Sequence, residues 1–541
     1  MRAFTLFLFC IFSFSLYAQV HIIPQPSNIS IQDGYFIFNP KINIYYKEKN
    51  ASEIAQYLSD QLKNLYGVQL NIKNAEPDPS EKIILISEDL SFPKEGYELT
   101  VTATTIQLKG TANGLFYAVQ SLLQLFPAER ITTTILIPTL QIVDNPRFQY
   151  RGLHLDVGRH FMPVSFIKKY IDYIAFHKMN YFHWHLTEDQ GWRIEIKKYP
   201  NLTKIGSMRN GTIIGRYPGK GNDNIKYGGF YTQEQVKEIV KYASDRFITI
   251  IPEIELPGHS SAAIASYPSL SCFPDEPTKI LENMISEESK KSKGKLVQET
   301  WGVFDDVFCA GKDATFDFLQ NVIDELILLF PGKYFHVGGD ECPKANWKRC
   351  PNCQQRMKEN NLKDEHELQS YFIQRMEKYL NQKGKTLIGW DEILEGGLAP
   401  KAIVMSWRGE AGGIAAAKEK HEVIMTPGNP VYFDHTQTRT EDSVTIGGYN
   451  PLTKVYAYEP IPKELTEEEA KYVLGAQANV WTEYMKNEQK IEYMLFPRLS
   501  ALSEVLWSPK EKRNWNDFEN RLKTQYKRYP LLQTNYSKPY F

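Results

Sequence analysis

From residue 146 almost to its C-terminus, the chain alternates short, largely apolar β-like runs with longer amphipathic segments of helical period. The runs cover residues 151–157, 181–187, 248–255, 334–340, 386–390, 402–407, 422–426 and 476–481. Helical patterns fall at 165–177, 232–246, 315–329, 365–382 and 466–474. Thr466 and Glu469 stand at capping-box spacing where the last of these begins. Such alternation calls for a parallel sheet with helices on both faces, since each apolar strand needs cover on both sides. Eight strands are enough to close that sheet. The expected class is therefore α/β: a (β/α)8 TIM barrel over residues 146–541, preceded by a small α+β domain.

That smaller domain is expected over residues 19–145. It has strand-like runs at 42–46, 83–86 and 97–108 and helical patterns at 52–65 and 112–125. It carries no cluster of chemically active side chains and reads as an accessory unit. Residues 1–18 combine Arg2, an apolar run and a small residue at Ala18. This is the pattern of a cleaved secretory signal and implies export, to the periplasm or the exterior if the source is bacterial. The run is short for a membrane span, and no later stretch reaches spanning length. A formal net charge of −1 gives no electrostatic footprint for nucleic acid or anionic lipid.

Cys10 would leave with the leader, and Cys272, Cys309, Cys342, Cys350 and Cys353 remain. Export makes disulfides the default. Cys272 and Cys309 would staple the Lys/Glu-rich insertion at 275–303, itself read as a flexible loop over or beside the site. Cys342 would pair with Cys350 or Cys353. A zinc site at Cys350-Pro351-Asn352-Cys353 is the less favoured reading, because only one further cysteine lies close in sequence.

A closed barrel places its active site at the C-terminal strand ends. Polar and aromatic residues gather there despite wide sequence separation. The first strand leads to Asp156, Arg159 and His160, and the second to Glu188 and Asp189. The third ends at Glu253 and Glu255, followed by His259. The fourth delivers Gly338-Gly339-Asp340-Glu341, and the fifth and sixth end in Trp390 and Trp407. Tyr432 and Asp434 follow the seventh, and Trp481 and Glu483 stand at the eighth. His183 and His185, two apart on the second strand, share a face and could bind metal. Their apolar surroundings favour core histidines.

The set is a glycosidase inventory: carboxylates, one arginine and a cage of aromatic faces. Adjacent acids point to opposite sides of an extended chain, and like charges this close separate their pKa values. A retaining enzyme with a protein nucleophile instead sets its two carboxylates on opposite sides of the sugar. Neighbouring acids suit substrate assistance, in which the sugar's own 2-acetamido oxygen attacks C1.

The motifs Arg151-Gly152-Leu153-His154-Leu155-Asp156, His183-Trp184-His185-Leu186-Thr187-Glu188-Asp189, Pro252-Glu253-Ile254-Glu255-Leu256-Pro257-Gly258-His259, His336-Val337-Gly338-Gly339-Asp340-Glu341 and Trp481-Thr482-Glu483 run in order along the barrel. Together they resemble family 20 glycoside hydrolases, the β-N-acetylhexosaminidases. The resemblance implies Glu341 as general acid and then base, with Asp340 holding the acetamido nitrogen and stabilising an oxazolinium intermediate. Tyr432 would donate to the acetamido oxygen. Trp390, Trp407 and Trp481 would wall the pocket, Arg159 and Glu483 would grip ring hydroxyls, and Asp434 would reach the 4- or 6-hydroxyl. His259 would form a relay with Glu188. Many members carry Asp at that position, so Asp189 is the alternative partner. The implied activity is removal of terminal β-linked N-acetylglucosamine or N-acetylgalactosamine, with N-acetylhexosamine-terminated glycans as substrates and no metal or organic cofactor. The rivals are a dead sugar-binding barrel, a His183/His185 metal hydrolase and an endo-acting relative.

Overall fold

A computed structural model describes residues 20–130, 134–441 and 443–538. The expected leader and Cys10 lie outside the described residues.

Two compact units emerge from the pattern of contacts. The first comprises Pro26–Asn145 together with Glu519–Arg528 of the last helix. Its sheet contains β1 (Asn28–Phe38), β2 (Asn43–Tyr46), β3 (Asn71–Lys73), β4 (Ile83–Glu88), β5 (Tyr97–Val101), β6 (Thr105–Gly110) and β7 (Ile135–Asp144), in the order β1-β7-β5-β6-β4-β2-β3. Helices α1 (Lys49–Tyr66) and α2 (Ala112–Leu125) pack on it. The single strand expected at 97–108 is two. Thr102 turns the chain by taking the Thr105 N–H on its hydroxyl at 2.9 Å, and β5 and β6 then pair antiparallel. Strands β1 and β7 were not anticipated. Most of β1 is solvent-exposed, its apolar Ile29, Tyr35 and Ile37 included, whereas β7 is buried largely at alternate positions.

The second unit is the barrel. Its strands are β8 (Tyr150–Asp156), β9 (Tyr181–His185), β10 (Thr249–Leu256), β11 (Tyr334–Gly338), β12 (Thr386–Trp390), β13 (Ile403–Ser406), β14 (Val423–Met425) and β15 (Val473–Ala478). All neighbouring pairs are parallel, and β15 closes on β8 through pairs such as Gly475 with Tyr150. Both β8 and β15 are buried along their whole length. The floor is filled by Tyr150, Ile251, Ile388, Ile403, Met405, Ile424 and Leu474. Helices α3 (Val164–Phe176), α4 (Gln233–Ser244), α5 (Asp313–Leu329), α6 (Pro351–Glu359), α7 (Glu365–Gln382) and α8 (Ala411–Lys418) lie between the strands in sequence.

Three expectations need correction. The helix at 466–474 is one turn, Glu467–Ala470, although its Thr466/Glu469 capping box forms; Val473 and Leu474 already belong to β15. The 275–303 insertion is packed rather than loose. The Glu299 carboxylate accepts from Ser286, Ser289 and Asn222, and Trp301 is buried. Buried hydrogen bonds thus offset its polar composition. Neither disulfide arrangement forms: all five described cysteines are free, and Cys342 stands apart from a cluster of the other four.

Candidate active site

The register of the barrel sets Asp156 beside His185 and His185 beside Glu253, so acids and imidazoles meet at one level. Asp156 shapes the first loop. One oxygen accepts the N–H groups of Gly158 and Arg159 at 2.8 and 3.1 Å, and the other accepts Thr482 N–H and hydroxyl at 3.0 Å. One side chain therefore turns Arg159 inward and pins the Trp481–Glu483 segment beside it.

At the fourth strand end, Gly338 has φ +65°, and a Cβ there would lie 1.9 Å from Glu255 Oε2. Only glycine gives the Glu255 carboxylate that space. The chain then reaches Asp340 and Glu341, and Glu341 itself has φ +45°.

Eleven of the residues singled out by sequence converge; Asp189 stands just behind, and Asp156, His160, Glu253 and Glu255 do not line the cavity. Arg159, Glu188, His259, Asp340, Glu341, Trp390, Trp407, Tyr432, Asp434, Trp481 and Glu483 line one cavity of about 240 Å³. That is smaller than the ~300–1,000 Å³ typical for drug-sized ligands and suits a single sugar ring. Trp407 and Tyr432 lie nearly parallel at 6.2 Å, while Trp390 and Trp481 meet at 5.8 Å. The Trp390 indole is fixed by donation to Glu253 at 3.0 Å, and the Trp407 indole by donation to Glu392 at 2.9 Å. Arg159 lies over the Trp481 ring and 3.1 Å from Glu188.

Five buried polar atoms at this cavity have no hydrogen-bond partner among the described residues: Asp340 Oδ1, Asp434 Oδ1, Arg159 Nε and Nη1, and Trp481 Nε1. Buried polar groups are nearly always paired, so these mark where a polar ligand would bind.

His259 links the acids. Its Nδ1 lies 2.9 Å from Glu188 and 3.1 Å from Asp189, and its Nε2 lies 3.6 Å from both Asp340 and Glu341. Both expected relay partners are thus in reach. Burial opposes charge on His259, but Glu188, Asp189 and Glu341 outweigh it and raise its pKa well above the usual value. Burial pushes Asp340 up to about 7, with Glu341's charge adding to the effect. Glu341 is held below its ordinary value, chiefly by its hydrogen bond to His259. Burial also raises Asp434 and Glu483.

His183 and His185 lie beneath the cavity around Glu253. His183 Nε2 is 3.0 Å and His336 Nδ1 2.7 Å from that carboxylate, and His185 bonds to it and, at 3.2 Å, to Glu188. Burial opposes charge on His185, yet Glu253 and Glu188 raise its pKa to about 10. These are buried core histidines gathered around one carboxylate.

Sequence reasoning left out Glu392, His435 and Ile446. His435 and Ile446 line the cavity, and burial next to Asp340 raises Glu392 to about 8. Glu392 follows directly on Trp390-Asp391, so its place after a strand end was a usable signal. His435 follows directly on Asp434 and carried the same signal, whereas Ile446 comes from the long segment after β14 and had none.

The family model for glycosyl hydrolase family 20, catalytic domain, matches residues 148–510, and that for family 20, domain 2, matches residues 19–145. A "Beta-hexosaminidase" of Porphyromonas gingivalis is 50% identical over 96% of this chain, and the chain spans 64% of that relative's length. The fold is similar to the GH20 exo β-N-acetylglucosaminidase of Vibrio harveyi solved with N-acetylglucosamine (TM-score 0.84, 32% identity, covering 96% of this chain and 79% of that one). It is also similar to the β-N-acetylhexosaminidase of Bacteroides fragilis (TM-score 0.78, 33% identity, covering 95% and 96%). Since the catalytic-domain match covers well over half of the residues and spans the strand ends that build this cavity, the chain belongs to glycosyl hydrolase family 20.

Proposed function

We propose that the protein is an exo-acting β-N-acetylhexosaminidase. It removes terminal, non-reducing β-linked N-acetylglucosamine or N-acetylgalactosamine with net retention, through an oxazolinium intermediate. The observation that carries this reading is that Asp340 and Glu341 do not point to opposite sides, as an extended chain would set them: past the end of β11, with Glu341 at φ +45°, both approach one nitrogen of His259 at 3.6 Å. Two acids on one side of the cavity do not fit an attack by one of them across the sugar ring. The similarity to the hexosaminidases of Porphyromonas gingivalis and Bacteroides fragilis supports the same reading.

In the first step the acetamido carbonyl oxygen bonds to C1 as the glycosidic C1–O bond breaks. Glu341 gives its proton to the leaving oxygen. Asp340 accepts the acetamido N–H and stabilises the positive charge that develops on the ring. Tyr432 donates to the acetamido oxygen within the wall of Trp390, Trp407 and Trp481. In the second step Glu341 takes a proton from water as the water oxygen bonds to C1 and the bond between C1 and the acetamido oxygen breaks, which restores the acetamide. Arg159, Asp434 and Glu483 hold ring hydroxyls.

The proton inventory follows from the electrostatics. In the free site the proton rests on Asp340 rather than Glu341, and His259 carries its own. Substrate that asks Asp340 to accept an N–H favours its ionised form, and the same proton then sits on Glu341.

The deciding experiment compares a β-N-acetylglucosaminide with the matching β-glucoside, whose C2 bears a hydroxyl. We expect cleavage of the first alone, with the β-anomer of N-acetylglucosamine appearing first. Equal cleavage of both, or a sugar trapped covalently on a side chain, contradicts the mechanism. Export through residues 1–18 is part of the proposal, and N-terminal sequencing of the mature protein tests it. No helix among the described residues is long and apolar enough to cross a membrane.

A further inference from the structure

Away from the sugar cavity, Cys272, Cys309, Cys350 and Cys353 bring their sulfurs together within 4.8 Å of one another, all four buried. Cys309 Sγ lies 3.7 Å from that of Cys353 and 3.8 Å from that of Cys350, and Cys272 Sγ lies 3.7 Å from that of Cys353. A zinc ion surrounded tetrahedrally by thiolates at about 2.3 Å spaces their sulfurs at about 3.8 Å, the edge of that tetrahedron. A disulfide needs about 2.0 Å. We infer that these four cysteines form a structural zinc site with four thiolate ligands.

The surrounding backbone is arranged for it. Two limbs converge on the sulfurs. One is a short antiparallel bridge, Ser271 with Phe308, which holds the two chain segments carrying Cys272 and Cys309 against each other; the Cys309 N–H donates to Leu270 C=O at 2.9 Å. The other is Cys350-Pro351-Asn352-Cys353, which runs into the first turn of α6. The limbs touch through backbone: a Cβ on Gly311 would lie 2.2 Å from the Asn352 carbonyl carbon. The Gly311 N–H bonds to the Cys309 sulfur, as a metal-bound thiolate requires of nearby donors. Trp347 Nε1 donates to Phe308 C=O at 3.0 Å and Arg356 to Gly311 C=O at 3.2 Å, closing the limbs around the cluster.

All-sulfur tetrahedral donors select a soft ion, and the spacing fits one ion rather than a multinuclear cluster. Such a site ties the segment after β10, which carries His259, to the segment after β11, which carries Asp340 and Glu341. It performs the stapling that disulfides were expected to perform.

The test is metal analysis of the full mature chain, purified without a metal-affinity tag from zinc-replete cells and dialysed against EDTA. We expect one equivalent of zinc per chain, released when an organomercurial titrates the thiols. Cys353→Ser and Cys272→Ser are expected to lose most of that zinc and to melt at lower temperature. Cobalt-substituted protein should show the ligand-field absorption of a tetrahedral tetrathiolate. Metal-free wild type whose intact mass reports two disulfides overturns the inference, as do four freely alkylated thiols or iron in place of zinc. The wild-type measurement reads the site even if a variant fails to fold, and none of it depends on hydrolase activity.

Discussion

The difference between Asp340 and Glu341 yields a prediction about pH. The reactive arrangement has Glu341 protonated and Asp340 ionised. The resting arrangement has the same proton on Asp340, at about 7. The populations of the two arrangements keep a fixed ratio as long as the pair holds one proton. For the wild type, kcat/KM is therefore flat between Glu341's depressed pKa, below 4.5, and about 7. Above about 7 it falls roughly tenfold per pH unit as the pair loses its proton. Asp340→Asn removes the alternative resting place. Only Glu341 can then hold the proton, so kcat/KM of the variant climbs about tenfold per unit as pH falls from 7 toward 4.5. The large deficit of Asp340→Asn at neutral pH, caused by losing the charge opposite the oxazolinium, should shrink by on the order of 10²-fold at pH ~5. The assay is cleavage of a defined disaccharide, whose poor leaving group demands protonation, with enzyme stability checked at each pH. A constant deficit across this range, or wild-type activity that stays flat to pH ~9, refutes the assignment of the proton.

Glu341→Gln should lose about 10²–10⁴-fold in turnover on sugar leaving groups, and much less on an activated aryl leaving group, as paired substrate kinetics would reveal. Tyr432→Phe removes one donor to the acetamido oxygen and should lower kcat by about 10²-fold with little change in KM. A thiazoline mimic of the cyclised intermediate should bind far more tightly than N-acetylglucosamine, which titration calorimetry can measure. Gly338→Ala places a methyl on the Glu255 carboxylate at a positive φ. Its backbone strain alone is worth about 1–3 kcal/mol, so a melting curve matching wild type would contradict that account.

The local sequence carried the barrel. Strand and helix periods are short-range, and the eight runs were close to the observed strands because each is buried on both faces. The positions of Asp340, Glu341 and the three tryptophans were legible for the same reason, since a strand end is visible in sequence. Strand β1 was not, because most of it faces solvent. The 275–303 insertion misled because its polar side chains bond to one another, which composition cannot report.

The sequence by itself thus determined the barrel architecture and most of the side chains that meet at the cavity. Two things were decided by tertiary structure alone. Burial raises the pKa of Asp340, and the His259 imidazole, from the loop after a different strand, lowers that of Glu341; neither is a property of adjacent residues. Four cysteines meet because loops 41 to 81 residues apart in the chain close on one point. Sequence spacing cannot encode that distance; the packing of the barrel does.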